Sequence, residues 1–348
     1  MKKLLITATD LMLVQFLLPH VRNLSEKGWD IRLACSEVGG RLAEVREALP
    51  GIPVKKIDLG RSPFRLQNLR GFRELKALLK GERFDLIWTN EPVMGVVTRL
   101  AARGSGAKVL YLCHGFHFFR GGPVQNWLYY PAEWLLSRWT DLLVTINRED
   151  FHLSQNMPAR RTARIHGIGV QPKSGNRAVL RQELGLKSSD FLVLCVGELN
   201  KNKDQVTLLR ALAKCPDRRI HLALCGKGPE ETALRRLAAA LNLMDRVHFL
   251  GYRRDMGNVY AGADLLAHPS RREGLGLAVL EGMLAGLPAV ACDIRGIRDY
   301  GETLLPPGDG AAFAAAIQNP PPAVNPEKLT PYLLDNVKIE IERLLDSL

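Results

Sequence analysis

The chain has 348 residues, of which 46% are hydrophobic and 24% charged, as is typical of soluble globular proteins. That length is too great for one ordinary core and predicts two domains. No run of about 18 apolar residues occurs, which argues against a membrane-spanning helix, and Asp10 interrupts the apolar start, which we interpret as a first strand and helix and not as a signal peptide. The six scattered cysteines form no C-x-x-C pair and predict buried free thiols in a reducing compartment.

The net charge of +12 is carried by the first half of the chain. Residues 1–180 contain 27 Lys and Arg against 15 Asp and Glu, whereas residues 181–348 contain 21 of each kind. This asymmetry predicts that the first half has an anionic partner. The candidates are a membrane surface, a phosphorylated substrate and nucleic acid. No RNA-binding motif accompanies the basic residues, so we do not expect nucleic acid to be the partner.

Short apolar runs alternate with amphipathic segments along the whole chain. In chain order the predicted strands are KKLLITA, DIRLACS, FDLIWTN, AKVLYLCHG, DLLVTIN, TARIHGI, FLVLCVGEL, RIHLALCGKG, RVHFLG, DLLAHPS and PAVACD. Helical patterns lie between most of them, for example at 65–80, 204–214 and 229–242. This alternation predicts an α/β fold with parallel sheets, and eleven strands are too many for one sheet.

The segment GIGVQPKSGNR at 167–177 is rich in Gly, Pro and polar residues and is typical of a linker. Because the strand and helix alternation starts again after it, we predict two doubly wound, Rossmann-like domains. We place the first at 1–168 and the second at 169–328, and we predict a C-terminal helix over 329–348.

Ligands of doubly wound sheets bind beyond the carboxyl ends of the strands. Four segments with glycines or charged residues follow predicted strands of the second half, and they are VGELNKNKD (196–204), CGKGPE (225–230), HPSRREGLGLAVLEG (268–282) and DIRGIRD (293–299). In the first of them Lys201 and Lys203 open a predicted helix after Gly197, where backbone amides and a lysine together form an anion site. The G-x-G-x-x-G and P-loop patterns are lacking, which disfavours a dinucleotide oxidoreductase and a P-loop enzyme.

Two glutamates stand eight positions apart in the third of these segments. Glu281 lies on an apolar helix face, where an unpartnered buried carboxylate costs several kcal/mol. Its partner is therefore either a structural Lys or Arg, or a bound polyol whose hydroxyls the carboxylate accepts. Glu273 lies in the loop EGLG, whose backbone can approach a ligand closely because of its glycines.

The glutamate pair with glycines after its first member resembles the donor-site motif of retaining glycosyltransferases of family 4. The segments CGKGPE, ADLLAHPSRREG and LPAVACDIRG fit the same family, and RSPF (61–64) and the segment 114–141 resemble its bacterial exopolysaccharide, capsule and O-antigen members. The resemblance covers nearly the whole chain. It implies the GT-B fold, with two Rossmann-like domains, a cleft between them and a C-terminal helix that packs back on the first domain.

The resemblance also implies a role for each matching position. The implied catalytic residues are Glu273 at the transferred sugar, His114 near that sugar from the other domain, and Lys203 at the donor diphosphate. The implied nucleotide-sugar-binding residues are Glu281 on the ribose hydroxyls, Gly197, Lys201, Lys203, Gly226, Gly228, Gly274, Leu275 and Gly276. The family needs no divalent metal, and the chain has no D-x-D motif, so we expect no metal and no other cofactor. Glu198 stands where many members have arginine.

Residues 116–139 contain 8 of the 23 aromatic residues. One interpretation is core packing, and the other is a lipid-facing mouth for the acceptor. In the second interpretation Arg120, Trp127 and Arg138 contact the acceptor. The basic segment 61–83 is either a solvated face or a surface that contacts an anionic bilayer through Arg65, Arg70 and Arg73.

The resemblance, together with these patterns, implies a retaining enzyme that moves a hexose or N-acetylhexosamine from a UDP-sugar to a polyprenyl-diphosphate-linked saccharide. The expected setting is the synthesis of a cell-surface polysaccharide such as exopolysaccharide, capsule or lipopolysaccharide, in the cytoplasm at the inner face of the membrane. Two alternatives remain open at this stage. One is a sugar-nucleotide 2-epimerase of the same fold, and the other is a non-catalytic partner subunit of an envelope-polymer assembly.

Overall fold

A computed structural model of the chain describes residues 2–60, 62–63 and 65–348. The chain forms two compact units, one of residues 1–169 with 334–348 and the other of residues 170–333. The first boundary lies inside the predicted linker. The second differs from the expected one, because residues 329–333 belong to the second unit and not to the C-terminal helix. The reason is local packing, since Leu329 and Tyr332 are buried and the ring of Tyr332 contacts that of Tyr300 at 5.3 Å.

The first unit is built around a seven-stranded parallel sheet. Its strands are β1 (Lys3–Thr9), β2 (Asp30–Ser36), β3 (Val54–Lys56), β4 (Leu86–Asn90), β5 (Lys108–Cys113), β6 (Leu142–Thr145) and β7 (Arg161–Arg164). Its helices are α1 (Asp10–Met12), α2 (Leu18–Glu26), α3 (Leu42–Ala48), α4 (Gln67–Gly81), α5 (Pro92–Ala101), α6 (Tyr130–Ser137), α7 (Arg148–Ser154) and a C-terminal helix (Leu334–Asp346), with a π-helical turn at Leu13–Leu17 and a 3-10 helix at Val124–Tyr129. The strand order is β3-β2-β1-β4-β5-β6-β7, so the order reverses between β1 and β4.

The second unit contains a six-stranded parallel sheet of the same kind. Its strands are β8 (Phe191–Val196), β9 (Ile220–Cys225), β10 (Val247–Gly251), β11 (Leu265–His268), β12 (Ala289–Cys292) and β13 (Leu304–Leu305). Its helices are α8 (Arg177–Glu183), α9 (Gln205–Ala213), α10 (Glu231–Ala240), α11 (Met256–Gly262), α12 (Leu277–Leu284) and α13 (Gly310–Gln318), with 3-10 helices at Ile297–Asp299 and Pro326–Tyr332. The order β10-β9-β8-β11-β12-β13 reverses between β8 and β11.

The predicted α/β fold with two doubly wound parallel sheets is confirmed. The central strands contain runs of consecutive apolar residues because helices cover both faces of a parallel sheet, and β1, β4 and β8 are almost entirely buried. Each of the eleven predicted strands is present. The prediction missed β3 and β13, which have three and two residues and lie at sheet edges, where β3 is largely exposed and lacks an apolar run.

The C-terminal helix packs within the first unit. Val337, Ile341 and Leu345 follow the spacing of one helical face and are buried. Near them, Glu340 pairs with His166 at 2.6 Å, and Glu342 accepts a hydrogen bond from Asn23 at 2.5 Å. Each of the six cysteines is buried and free, as predicted. In the described ranges, none of the helices has the length and apolar character that crossing a bilayer requires.

Candidate active site

The second sheet brings two predicted segments together at its carboxyl edge. The strand order reverses between β8 and β11, and a doubly wound sheet binds its ligand beyond the strand ends at this reversal. Gly197 directly follows β8, and His268 is the last residue of β11. The loop of Glu273 follows His268 and leads into α12, so the sequence-predicted donor residues lie at the expected edge.

The glycine turns after β8 and β9 pack directly against each other. The amide of Gly197 donates to the carbonyl of Cys225 at 2.9 Å. A Cβ atom on Gly226 would lie 2.0 Å from the carbonyl oxygen of Gly197, and one on Gly228 would lie 2.3 Å from that of Leu199. These contacts require glycine at both positions, so Gly226 and Gly228 have a packing reason that is independent of any ligand.

Lys203, His268 and Glu273 form a cluster at this edge. Lys203 Nζ lies 2.5 Å from Glu273 Oε1, and His268 Nε2 lies 2.9 Å from the same oxygen. The His268 side chain is almost completely buried, and those of Glu273 and Lys203 are largely buried. Asn200 positions the lysine, because its Oδ1 accepts the Lys203 amide at 2.9 Å. Lys201, predicted beside Lys203, has an exposed side chain.

The cluster keeps Glu273 ionised. Burial by itself raises the pKa of this carboxyl group, but the hydrogen bond from His268 and the charge of Lys203 outweigh it and hold the pKa well below its usual range. His268 donates from Nε2, since a carboxylate only accepts, and its Nδ1 is buried without a partner among the described residues. Glu273 is therefore an acceptor and not a general acid.

Glu281 lies on α12 and has two protein partners. Lys173 Nζ donates to Glu281 Oε1 at 2.7 Å, and the hydroxyl of Tyr260 donates to Oε2 at 2.8 Å. Burial raises the pKa of Tyr260, and the charge of Glu281 raises it further. The carboxylate was expected to be buried, but its side chain is 23% exposed because the helix face opens towards solvent at this position. The basic partner exists, and each carboxylate oxygen retains capacity for a second hydrogen bond.

The loop 274–276 packs against Tyr300 and Gly296. Gly276 has φ of +78° and immediately precedes α12, so the start of that helix has no side-chain cap. The hydroxyl of Tyr300 lies 2.8 Å from the Leu275 carbonyl and 2.9 Å from that of Gly276, and a Cβ on Gly296 would lie 2.4 Å from the Gly274 carbonyl. The backbone amides at the start of α12 are thus supplied by a loop whose conformation is tightly defined.

Sequence reasoning missed several residues of this site. They are Lys173, Tyr260, His268, Arg295 and Tyr300, of which Arg295 is buried and donates to the Glu273 carbonyl at 3.3 Å. His268 and Arg295 lie in segments that were singled out after strands, so their position could have identified them. Lys173 and Tyr260 carried no such signal, because they come from the linker and from an ordinary helix.

In the first unit, His114 follows β5 and is half-buried. Its Nε2 lies 3.1 Å from Asn90 Oδ1, while the amide nitrogen of Asn90 donates to the Thr7 carbonyl at 3.3 Å. The Asn90 oxygen therefore faces the imidazole, which donates from Nε2 and keeps Nδ1 as an acceptor. Burial lowers the pKa of His114 to about 4, so the ring is neutral at physiological pH.

A cavity of about 180 Å³ lies at the same edge of the first sheet, beside the reversal between β1 and β4. Its lining includes Leu11 and Met94, which are apolar, and Glu91, whose carboxylate accepts from the amide and hydroxyl of Thr9 at 2.6 and 2.8 Å. Glu91 has φ of +65°, a conformation that costs a non-glycine residue energy and that often marks functional sites. Ser36 also lines the cavity, and its buried hydroxyl has no partner in the described chain. The sequence analysis did not identify these residues.

The aromatic segment 116–139 contributes to both the core and the surface. Phe116 and Phe118 are buried, and the ring of Trp127 packs on that of Phe118 at 5.9 Å while remaining partly exposed. Val124 and Leu128 are 82% and 81% exposed. Part of the segment is thus core packing, and the lipid-facing mouth stays a prediction for the exposed part.

The arginines that were predicted to contact a membrane lie close together in the sequence, at the start of α4. Arg65, Arg70 and Arg73 are exposed at the start of α4, next to Leu66 and Leu69, which are 82% and 57% exposed.

Arg120 is exposed in the loop after β5, but Arg138 follows α6 and lines a cavity where β5 and β6 begin. Arg138 thus lies where β5 and β6 begin, whereas the loop of Arg120 follows the other end of β5, and their contact with an acceptor stays a prediction.

Within residues 2–60, 62–63 and 65–348, no three His, Cys, Asp or Glu side chains are grouped so that they could hold a metal ion. The site can hold an anion at Lys203 and the start of α12, and hydroxyl groups at Glu273 and Glu281.

Two family models together match most of the chain. Residues 190–319 match the model described as "Glycosyl transferases group 1", and residues 15–167 match that of the "Glycosyl transferase 4-like domain". A relative from Bacillus subtilis (strain 168), named "Putative glycosyltransferase EpsD", is 39% identical over 91% of this chain and 87% of its own length. A second relative, the UDP-Gal:alpha-D-GlcNAc-diphosphoundecaprenol alpha-1,3-galactosyltransferase of Escherichia coli, is 26% identical over 78% of this chain and 74% of its own length.

Solved structures agree on the architecture. The crystal structure of Anabaena HepE in complex with UDP superposes with a TM-score of 0.82 at 23% identity, and both chains are covered completely. A sucrose-phosphate synthase from Thermosynechococcus elongatus superposes with a TM-score of 0.80 at 18% identity, covering 100% of this chain and 99% of its own. These likenesses confirm the predicted GT-B fold.

Proposed function

Since the chain belongs to the family of group 1 glycosyl transferases with a glycosyl transferase 4-like first domain, we propose that it moves a hexose or N-acetylhexosamine from a UDP-sugar to a polyprenyl-diphosphate-linked saccharide. The transfer retains the anomeric configuration and serves the synthesis of a cell-surface polysaccharide. The observation that carries the proposal is the cluster of Lys203, His268 and Glu273 at the strand-order reversal of the second sheet.

Lys203 and the start of α12 supply the positive potential for the leaving diphosphate. The transition state develops negative charge on the departing phosphate oxygen, and donors that are already oriented stabilise it without reorganisation. Lys203 is largely buried and oriented by Asn200, and the amides after Gly276 have no side-chain cap that competes for the anion. The proposal needs no metal ion for this neutralisation.

Glu273 serves the transferred sugar. Its carboxylate stays ionised, so it accepts hydrogen bonds from sugar hydroxyls and stabilises the positive charge that develops at the anomeric carbon. His268 and Lys203 already bind its Oε1, which leaves Oε2 as the oxygen for the sugar. His114, in the first unit, is neutral and offers hydrogen bonds and not charge.

Glu281 binds the ribose. Lys173 and Tyr260 each donate to one of its oxygens and fix the orientation of the carboxylate, while the remaining lone pairs accept two hydroxyl groups. The role rests on the partly exposed carboxylate in the second turn of the helix that follows the Glu273 loop.

We expect Glu281→Gln to weaken UDP binding by about tenfold, because a charge-assisted hydrogen bond to a hydroxyl is replaced by a neutral one. Isothermal titration with UDP measures the change. Lys173→Gln is the matched control, since it removes the ion pair but leaves the carboxylate in place. If Lys173→Gln weakens UDP as much as Glu281→Gln does, the ion pair and not a ribose contact accounts for the effect.

The acceptor saccharide binds at the carboxyl edge of the first sheet. The cavity beside Glu91 is lined by apolar side chains, by a carboxylate and by a buried serine hydroxyl. This lining suits a sugar ring, which has one apolar face and several hydroxyls. The acceptor class is supported by the Escherichia coli relative, whose name specifies a GlcNAc-diphosphoundecaprenol acceptor, and by the relative named EpsD.

The first unit rests on the inner face of the cell membrane. Two surfaces combine exposed apolar side chains with arginines or aromatic rings, as interfacial segments do. One is the start of α4, with Leu66, Leu69 and three exposed arginines, and the other is the 3-10 helix Val124–Tyr129. The first unit is also basic, since its residues 1–169 and 334–348 contain 27 Lys and Arg against 19 Asp and Glu, and this charge favours anionic lipids.

Liposome sedimentation is expected to show binding that requires anionic lipid and weakens at high salt, because screening shortens the reach of surface charges. Charge reversal at Arg65, Arg70 and Arg73 should reduce binding strongly, since each basic residue near the surface contributes about 1 kcal/mol. Reversal of three exposed arginines of the second unit, Arg218, Arg219 and Arg235, is the control and should change little. Binding that ignores lipid charge and salt would contradict membrane docking by this surface.

A screen of UDP-sugars against polyprenyl-diphosphate-linked saccharides, with mass analysis of the products, tests the function itself. Transfer of one hexose or N-acetylhexosamine is the expected result, and NMR of the product gives the anomeric configuration. Release of an epimerised UDP-sugar without acceptor would instead favour the 2-epimerase. UDP binding without turnover on any acceptor would favour a non-catalytic subunit.

A further inference from the structure

A second cavity of the first unit, of about 290 Å³, lies where β5 and β6 begin. Lys108 is the first residue of β5, and Asp141 precedes β6. His114 follows the other end of β5, which is six residues long, so about 20 Å of strand separates the cavity from the carboxyl edge. The cavity is therefore distinct from the acceptor region proposed above and plays no part in the proposed reaction.

The lining of this cavity is strongly basic. Arg103, Lys108, Arg138 and Arg160 contribute four cationic side chains, and Asp141 contributes one carboxylate. Asp141 already accepts the amide of Val109 at 2.9 Å, and Lys108 Nζ and Arg160 each lie 3.5 Å from it.

Arg99 also reaches the cavity wall, but it is fully buried and both of its terminal nitrogens donate to the carboxylate of Glu133, at 2.5 and 3.2 Å. Its charge is therefore already compensated. Asp141 matches one of the other four cationic side chains. The remaining three positive charges have no matching acid in the lining.

Two of these arginines are oriented in advance. The guanidinium of Arg103 lies 4.3 Å from the ring centroid of Trp139, and that of Arg138 lies 4.7 Å from that of Trp134. Stacking on an aromatic ring fixes the plane of a guanidinium and leaves its N–H edges available. In the part of the chain that the structure describes, neither arginine has a carboxylate partner.

The turn that carries Arg103 is itself anchored. Lys76 Nζ donates to the carbonyls of Ala101 and Arg103, at 2.8 and 2.6 Å. The position of Arg103 at the cavity is thus defined by α4 as well as by its own helix end. Uncompensated charges held this close together repel one another, and an anion between them removes that repulsion.

We propose that this cavity binds a phosphate-bearing anion with at least two negative charges, such as a phosphomonoester or a diphosphate. Arginine forks match the oxygens of phosphate, and an excess of three charges suits a dianion better than a phosphodiester. The volume fits a headgroup or a small phosphate and is below that of typical sites for drug-sized ligands. Two sources share this chemistry, a lipid headgroup of the phosphatidic acid type and a free soluble phosphate.

Calorimetric titration of the full chain with inorganic diphosphate, in saturating UDP so that a donor site is filled, tests the proposal. We expect one binding site whose affinity falls as salt rises, and a loss of at least about tenfold in Arg103→Gln/Arg160→Gln. Arg235→Gln is the matched control, because Arg235 stacks on Phe249 at 4.0 Å in the second unit, far along the chain from the cavity, and it should bind as the parent does.

Absence of a diphosphate site in the parent protein, or unchanged affinity in the double variant, would overturn the proposal. Arg160→Gln alone is the second variant, because the Arg160 side chain is 72% exposed and stacks on no ring of the described residues, so its replacement should not disturb folding. It should lose part of the affinity. Unchanged UDP binding in the double variant shows that its second unit is intact. None of these readouts needs turnover, so a failure of the proposed reaction is recognised separately.

Vesicles distinguish the two sources. If a lipid headgroup is the ligand, the parent protein prefers phosphatidic acid over phosphatidylglycerol at equal surface charge, and Arg103→Gln/Arg160→Gln loses that preference. If a soluble phosphate is the ligand, diphosphate affinity falls in the double variant while the vesicle preference does not depend on these residues. Either result supports a phosphate site in this cavity and assigns its source.

Discussion

Replacement of Lys203 by alanine is expected to lower kcat by at least about 100-fold, the effect of removing one preorganised donor from a developing oxyanion. Lys203 follows the glycine turn after β8 and reaches Glu273 at the strand-order reversal. In the proposed reaction it is the side-chain cation closest to the leaving diphosphate. Steady-state kinetics with the UDP-sugar and lipid-linked acceptor identified by the screen measure the effect.

Lys214→Ala provides the matched control, since it removes the same charge from an exposed side chain at the far end of α9. It should retain most of the activity. Thermal unfolding must accompany the comparison, because Lys203→Ala leaves the largely buried Glu273 carboxylate with His268 but without its lysine. A folded Lys203→Ala variant with nearly unchanged kcat would remove this residue from the site.

Replacement of Glu273 by glutamine in the parent protein should lower kcat on the order of 100-fold and leave UDP affinity unchanged. The amide has the same shape as the carboxylate but lacks its negative charge, which the proposal assigns to the transferred sugar and not to the nucleotide. Calorimetry with UDP and steady-state kinetics on the same protein preparation separate the two effects.

Glu198→Gln is the control for this substitution, because Glu198 is an exposed acid of the neighbouring loop whose carboxylate accepts a hydrogen bond from Asn200 at 2.9 Å. Its activity should be close to that of the parent. Weakened UDP binding with intact kcat in Glu273→Gln, together with the reverse in Glu281→Gln, would exchange the roles proposed for the two glutamates.

The alternation of apolar runs and amphipathic segments was sufficient to predict two doubly wound parallel sheets. Strands buried on both faces contain consecutive apolar residues, so β1, β4 and β8 can be identified in the sequence without any tertiary information. The same signal fails for β3, which pairs on one side only and is largely exposed. The uneven charge was equally visible, since it depends on composition alone.

The motif around Glu273 and Glu281 also identified the family from the sequence, and the comparisons confirm that identification. The ends of the strands placed Gly197 and the Glu273 loop at a ligand-binding edge, because side chains after parallel strands meet there.

The partners within that edge required the tertiary structure. Lys203 and Glu273 are 70 residues apart, and Lys173 and Glu281 are 108 apart, so no local pattern relates them. Their contacts exist only because the strand order brings β8 beside β11 and because the linker returns to α12. Likewise, no periodicity revealed that Arg138 belongs with Arg103 and Arg160 at the opposite edge of the first sheet. Sequence patterns determine which segments are buried, but the distances between charged side chains depend on how whole elements pack.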